Sequence, residues 1–416
     1  MRDMAIAKGP EAAGALRRDT AGEKGLPRYF ARCFAVARAI RAGRLDITLP
    51  DGRVFRAEGA APGIEARLDI HDPEVFARLV REGYLGFCEA YLDGGWSTPD
   101  LQAFLDLLND DNEAIYNGYP GQRLAQLYER LRFWFKRNSK EQARRNIEYH
   151  YDLGNEFYRL WLDDTMTYSS ALFEEGVDSL EAAQTAKYRA LVDAMEVAPG
   201  DHVLEIGCGW GGFAEYAAAE RGLRVTGLTI SPAQLDYARD RIARAGLADR
   251  VDLKLQDYRD ERGTYDGVAS IEMFEAVGER YWPVFFESLR DRLSAGARAT
   301  LQIITVEDHR FEAYRTDVDF IQKYIFPGGM LPGPSALRAE VARAGLEMLG
   351  SMEFGQSYSE TLRRWHARFE AVWPEIAAQG FDARFRRMWE FYLTSCAAAF
   401  RGGSCDVTQI TLARPG

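Results

Sequence analysis

The sequence predicts a doubly wound α/β fold with a seven-stranded sheet, preceded by a smaller N-terminal α+β domain. Three observations predict it. Val203-Leu-Glu-Ile-Gly-Cys-Gly-Trp-Gly-Gly212 reads as a buried strand, a glycine turn and the start of a helix. Beyond that point short apolar runs alternate with helical patterns, as strands and crossover helices do in a largely parallel sheet. Before residue 116 the pattern differs, because Pro50-Asp51-Gly52 marks a hairpin between alternating segments and helices follow it.

In chain order, residues 1–27 are rich in Ala, Gly, Arg and Lys without apolar periodicity and are expected to be mobile. Residues 28–115 make the small domain. Its helix over 28–42 carries Phe30, Cys33, Phe34, Ala37 and Ile40 at helical spacing. A hairpin over 45–57, a strand over 66–70 and helices near 73–82, 86–93 and 98–108 follow. Residues 116–146 form a basic, aromatic linker. Between Gln122 and Asn146 eight Lys and Arg stand against two Glu, a local charge of +6, with Leu, Tyr, Phe and Trp interleaved. That composition fits a membrane surface, and a solvated interdomain helix is the plainer alternative. Residues 147–416 hold the second domain. Polar-aromatic segments at 148–158 and 163–173 read as a lid, or as a capping helix and loop. Strands are expected near 202–207, 224–229, 251–256, 267–272, 297–305, 347–353 and 407–413, and long helices near 359–379 and 382–401.

Composition narrows the function classes. A net charge of −11 over 416 residues argues against a nucleic-acid binder. Cys33, Cys88, Cys208, Cys396 and Cys405 are scattered, without C-x-x-C or pairing with the five histidines, so a reducing cytoplasm and no metal site are expected. The start lacks an apolar signal-peptide stretch, and no uncharged apolar run reaches ~18 residues. Any membrane contact is then peripheral, on the inner face.

Two nucleotide ligands suit the glycine turn. Gly207-Cys-Gly209-Trp-Gly211-Gly212 matches the dinucleotide string G-x-G-x-x-G, but many α/β proteins carry such a turn, some for structure alone. Glu205, just before the first glycine, shifts the balance. An acid beside a pyrophosphate is unfavourable, whereas S-adenosylmethionine brings an α-amino group and a sulfonium. In a doubly wound sheet ligands lie at the carboxyl ends of the strands. Thr229, Ser231 and Gln234 after the second strand could therefore bond the ribose or methionyl part. Gln256 and Asp257 after the third could meet the adenine. Ser231 is also a good helix N-cap and Asp257 an ordinary turn residue. Glu275, just past the fourth strand, faces the ligand edge, while Glu272 is read as pointing differently. The Gly/Pro-punctuated stretch Phe320–Gly333 would suit a long apolar substrate, or serve as a packing loop.

Several motifs together are more specific. Tyr149-His-Tyr-Asp-Leu-Gly-Asn-Glu-Phe-Tyr158, Met166-Thr-Tyr-Ser169, Leu204-Glu-Ile-Gly-Cys-Gly-Trp-Gly211, Met273-Phe-Glu-Ala-Val-Gly278, Lys323-Tyr-Ile-Phe-Pro-Gly-Gly-Met-Leu-Pro332, Gly355-Gln-Ser-Tyr358 and Tyr392-Leu-Thr-Ser-Cys-Ala-Ala-Ala-Phe400 resemble the cyclopropane-fatty-acyl-phospholipid synthase family from about residue 30 onward. The resemblance implies a Rossmann-like methyltransferase sheet and S-adenosylmethionine as co-substrate. It also implies unsaturated phospholipid at the membrane surface as partner, and a homodimer. It places Tyr168, Ser169, Glu205, Gly207, Gly209 and Gly211 at the cofactor. An alkene attacking the sulfonium methyl leaves a carbocation, which Tyr168, Phe274 or Tyr358 could stabilise. A base then takes a proton so that the cyclopropane closes. The resemblance implies a bound bicarbonate as that base, and Glu275, Ile304 and Tyr358 match its holders. The Cys position is Ser170, the His position is Gln302, and the His after the Glu is Ala276. A loosely held anion, or Glu275 as the base, is therefore expected. A methyl-branched or methylene product, a small-molecule methyltransferase and an inert lipid-binding relative are the alternatives.

Overall fold

The computed structural model describes residues 16–110 and 153–416. The basic stretch 116–146 and residues 148–152 of the first lid segment lie outside the described residues. Two compact units, Met1–Ala125 and Gln126–Gly416, divide the chain.

In the first unit, β1 (Ala42–Thr48) and β2 (Val54–Glu58) form the expected hairpin, with Thr48 opposite Val54. β3 (Ala61–Ile70) pairs parallel with β1, and the short β4 (Trp96–Ser97) closes the order β2-β1-β3-β4. Buried rings from helices and strands carry the core: Phe30, Phe34, Phe55 and Phe76 pack ring to ring, and Trp96 stacks on Phe87. Residues 16–27, expected to be mobile, are instead tied to the hairpin, since Arg17 N donates to Val54 O and Arg56 N to Arg17 O. The helices expected at 73–82 and 86–93 lie within one element, Glu74–Leu92, which is broken between them as expected. Its bend is at Gly83, with φ 68° and ψ −151°. Gly83→Ala is expected to lower the stability of this unit by about 1–3 kcal/mol, because that backbone region is open almost only to glycine. A lower urea midpoint would register it.

The second unit is the seven-stranded sheet. β5 (His202–Ile206), β6 (Arg224–Thr229), β7 (Val251–Leu255), β8 (Tyr265–Ile271), β9 (Leu293–Val306), β10 (Glu347–Glu353) and β11 (Cys405–Ala413) lie in the order β10-β11-β9-β8-β5-β6-β7. The five strands β5 to β9 run parallel, and β10 and β11 add an antiparallel edge. Strand order reverses between β5 and β8, so the crevice that such a reversal opens lies at their carboxyl ends. Helices cover both faces over apolar clusters around Leu301 and Val203. The helix expected at 359–379 is two, Gly355–Ala371 and Trp373–Ala378, with Pro374 in the first turn of the second. No helix among the described residues is long and apolar enough to cross a membrane.

Candidate active site

At the end of β5 the glycines do specific work. Gly207, at φ 88°, leaves no room for a Cβ, which would sit 2.8 Å from Met273 Cγ. Gly209, at φ 50°, has nothing within 4 Å of where a Cβ would be, so the backbone there presents an open face. Glu205, 2% exposed, lies two residues before the turn, and its Oε2 has no hydrogen-bond partner. Burial pushes its carboxyl up to about 8, against the pull of Arg241 and Lys187. A buried acid with an oxygen to spare beside open backbone is the complement of a cationic amino-acid group. The site therefore fits the methionyl end of S-adenosylmethionine.

Across the strand-order reversal two carboxylates end β8. Glu275 Oε1 accepts from Ile304 N at 2.6 Å, and its Oε2 has no partner. Burial, then the neighbouring charge of Glu272, raises its carboxyl to about 8. Glu272, read from the sequence as pointing differently, is the hub of the site. Its Oε1 accepts from Ser170 N and from Gln302 Nε2, each at 2.8 Å, and its Oε2 from Tyr358 OH at 2.7 Å. Burial raises its carboxyl, with Lys187 opposing.

Gln302 lies directly opposite Gln409 on β11, whose Nε2 donates to Gln302 Oε1. That bond, with the one Gln302 Nε2 donates to Ser170 O at 3.2 Å, fixes which end of the Gln302 amide meets Glu272. Ser170 contributes its amide and not its hydroxyl, which donates to Ala171 O. The bicarbonate implied by the resemblance does not fit here. Of the donors expected to hold it, Gln302, Tyr358 and the Ile304 amide are engaged by Glu272 and Glu275, and the Ser170 hydroxyl by Ala171 O.

The described parts of the two polar-aromatic segments, with the helices after β10, supply the walls. Tyr168 OH bonds Tyr392 OH at 2.8 Å, and its ring meets Tyr158, Trp161, Trp365 and Phe326. Tyr358 stacks on Phe400. Asn155 ties the helix Asn155–Trp161 to the glycine turn by accepting from Trp210 Nε1. Phe274, proposed as a cation-facing ring, is instead core, packed on Trp282, Phe285 and Phe286.

Lys187 escaped the sequence reading. On the helix Leu180–Met195 it is fully buried, donates to Ser169 Oγ at 2.7 Å, and is pushed down to about 7 by burial against the pull of Glu272, Asp163 and Glu205. Its signal was legible: Leu180, Gln184, Lys187, Leu191 and Met195 share one buried stripe, where a lysine is out of place.

On the other side of β5, Thr229, Ser231 and Gln234 bond one another. Ser231 caps the helix Pro232–Arg244, and Thr229 Oγ1 donates to Gln234 Oε1. Gln256 donates to Glu261. Asp257 caps a short turn and pairs with Arg259, so its ordinary turn role is realised.

Sheet order, the glycine turn and the buried acid before it are those of an S-adenosylmethionine-dependent methyltransferase. Residues 138–410 match the family model for mycolic acid cyclopropane synthetase. The chain belongs to this family, that of the cyclopropane-fatty-acyl-phospholipid synthases. It is 41% identical over 370 residues, 86% of each chain, to a tuberculostearic acid methyltransferase of Mycobacterium tuberculosis. It is 35% identical over 388 residues to the cyclopropane-fatty-acyl-phospholipid synthase of Escherichia coli, covering 89% of this chain and 96% of that one. A mycolic acid cyclopropane synthase crystallised with SAH and CTAB superposes with a TM-score of 0.61 at 29% identity, over 65% of this chain and 98% of that one.

Proposed function

We propose that the chain transfers the methyl carbon of S-adenosylmethionine to the cis double bond of an unsaturated fatty acyl chain of membrane phospholipid. The reaction runs through a carbocation and closes a cyclopropane ring. The observation that carries this reading is the pairing of aromatic faces around Tyr168 with the carboxylates of Glu272 and Glu275. An alkene needs no base to attack; what needs help is the cation it becomes, and ring faces and fixed negative charge supply that help.

A second reading, an open-chain methyl-branched or methylene product, is supported by the relative named a tuberculostearic acid methyltransferase and by Ser170, Gln302 and Ala276 at the anion site. Ring and methylene products lose a proton after the same alkylation: the ring closes without a hydride shift, and the methylene forms when a shift comes first. A saturated methyl branch requires in addition a hydride from a separate nicotinamide-class reductant.

The test is methyl-labelled S-adenosylmethionine with phospholipid vesicles. Label should enter unsaturated and not saturated chains, and mass and NMR analysis of the chains separates ring from methylene or methyl branch. Label found in a head group or a small amine would sink the reading. The +6 charge of residues 122–146 supports peripheral work on the anionic inner face of the membrane. Raised ionic strength should then release the protein from anionic vesicles.

A further inference from the structure

The geometry points to Glu272 as the chain's own replacement for a bound anion: its carboxylate occupies the anion seat and takes the proton released after alkylation. This inference rests on the alkylation reading above.

Three donors from three separate elements converge on this one carboxylate. Ser170 N comes from the lid loop, Gln302 Nε2 from β9 and Tyr358 OH from the helix Gly355–Ala371. That is the arrangement of an anion site, with the anion covalently attached. The backbone is bent to put it there. Glu272 has φ 49°, in the left-handed region that side chains other than glycine seldom adopt, and its N–H is held by Gln302 O at 2.8 Å. Such strain persists only where the surroundings over-determine it, and it gathers at functional sites. Two further devices fix the seat. Gln409 orients Gln302, and fully buried Lys187 supplies a compensating positive charge.

The step balances without any added reactant. The S–CH3 bond of the sulfonium breaks, and its electron pair stays on sulfur as a neutral thioether. The alkene π pair forms the new C–C bond and leaves a cation on the neighbouring carbon. Glu272 accepts a proton from the transferred methyl group. The freed C–H pair then closes the ring, or forms the methylene double bond once a hydride has shifted. The Glu272 carboxyl afterwards gives its proton to water.

The test uses the full chain, Glu272→Gln and Glu272→Gly. The glycine variant relieves the positive φ, which offsets part of the cost of leaving three donors unpaired, and a cooperative melt above the assay temperature shows that it is folded. With 13C-bicarbonate followed by NMR line width, the parent should show no saturable binding. Glu272→Gly should bind, because three donors then face an empty seat. In CO2-stripped buffer the parent should keep its full rate on unsaturated vesicles. Glu272→Gln should lose about 100-fold or more in turnover while keeping S-adenosylmethionine affinity, as removal of a general base does. Glu272→Gly should recover rate as bicarbonate is added.

Bicarbonate binding or dependence in the parent, a folded Glu272→Gly that binds none, or a Glu272→Gln of near-parent rate would each overturn the inference. A parent that labels no unsaturated lipid would instead sink the alkylation reading, and the bicarbonate contrast would still decide who holds the anion seat.

Discussion

Glu205→Gln is expected to weaken S-adenosylmethionine binding by about 100-fold, because it removes a charge-assisted partner from a buried site. The same change should flatten the pH dependence of binding. In the ligand-free protein burial holds the Glu205 carboxyl at about 8, so near neutral pH most of it is protonated. A cationic ligand calls for the ionised form. Affinity should therefore rise with pH, by close to tenfold per unit below about 8, and level off above. Stability of the ligand-free protein runs the other way. The folded value is raised above the unfolded 4.5, so this contribution is whole below about 4.5 and lost as pH rises through about 8. The gap in melting temperature between Glu205→Gln and the parent should accordingly widen in the variant's favour from pH 5 to pH 9 (values on the order of those just given). Calorimetric titration and thermal melts over that range check both. Affinity unchanged in the variant would remove Glu205 from the cofactor site.

Glu275→Gln should cut turnover by about 100- to 1000-fold and leave cofactor affinity within about threefold. The amide oxygen can still accept from Ile304 N, so the loop after β8 should hold its shape. What disappears is the negative charge at the unpartnered Oε2, and an amide NH2 turned toward a developing cation is worse than nothing there. Because burial and Glu272 hold this carboxyl at about 8, the parent's rate should climb as pH approaches 8, and the variant should lose that limb. Single-turnover rates beside equilibrium binding separate the two effects. A variant of near-parent rate would show that charge at this position plays no part.

Much of this was legible in the chain. Short apolar runs between glycine turns and amphipathic helices gave the strand sequence of the larger sheet, and the acid before Gly207 pointed to a cationic ligand before any relative was considered. What stayed hidden has physical causes. Glu272 and Glu275 are three residues apart past a strand end, where the two-residue alternation of side chains no longer holds. Only the left-handed turn at Glu272 decides that it meets Ser170 and Tyr358. Phe274 looked available beside two acids but completes a cluster with Trp282 and Phe285, partners set by tertiary packing.

Gln409 has a consequence for how the protein is made. The groups that meet at Glu272 come from positions 170, 302 and 358, and the amide of Gln302 is oriented by Gln409 of β11 together with Ser170 O. Contacts of such wide sequence separation form late, since a long loop must close before any of them is rewarded. While the nascent chain is still on the ribosome with β11 unsynthesised, β9 has an open edge and Gln302 lacks the donor that holds its Oε1. The enzyme would thus acquire a foldable sheet well before it acquires a competent centre, and truncation ahead of Cys405 should leave a species that collapses without ever becoming active.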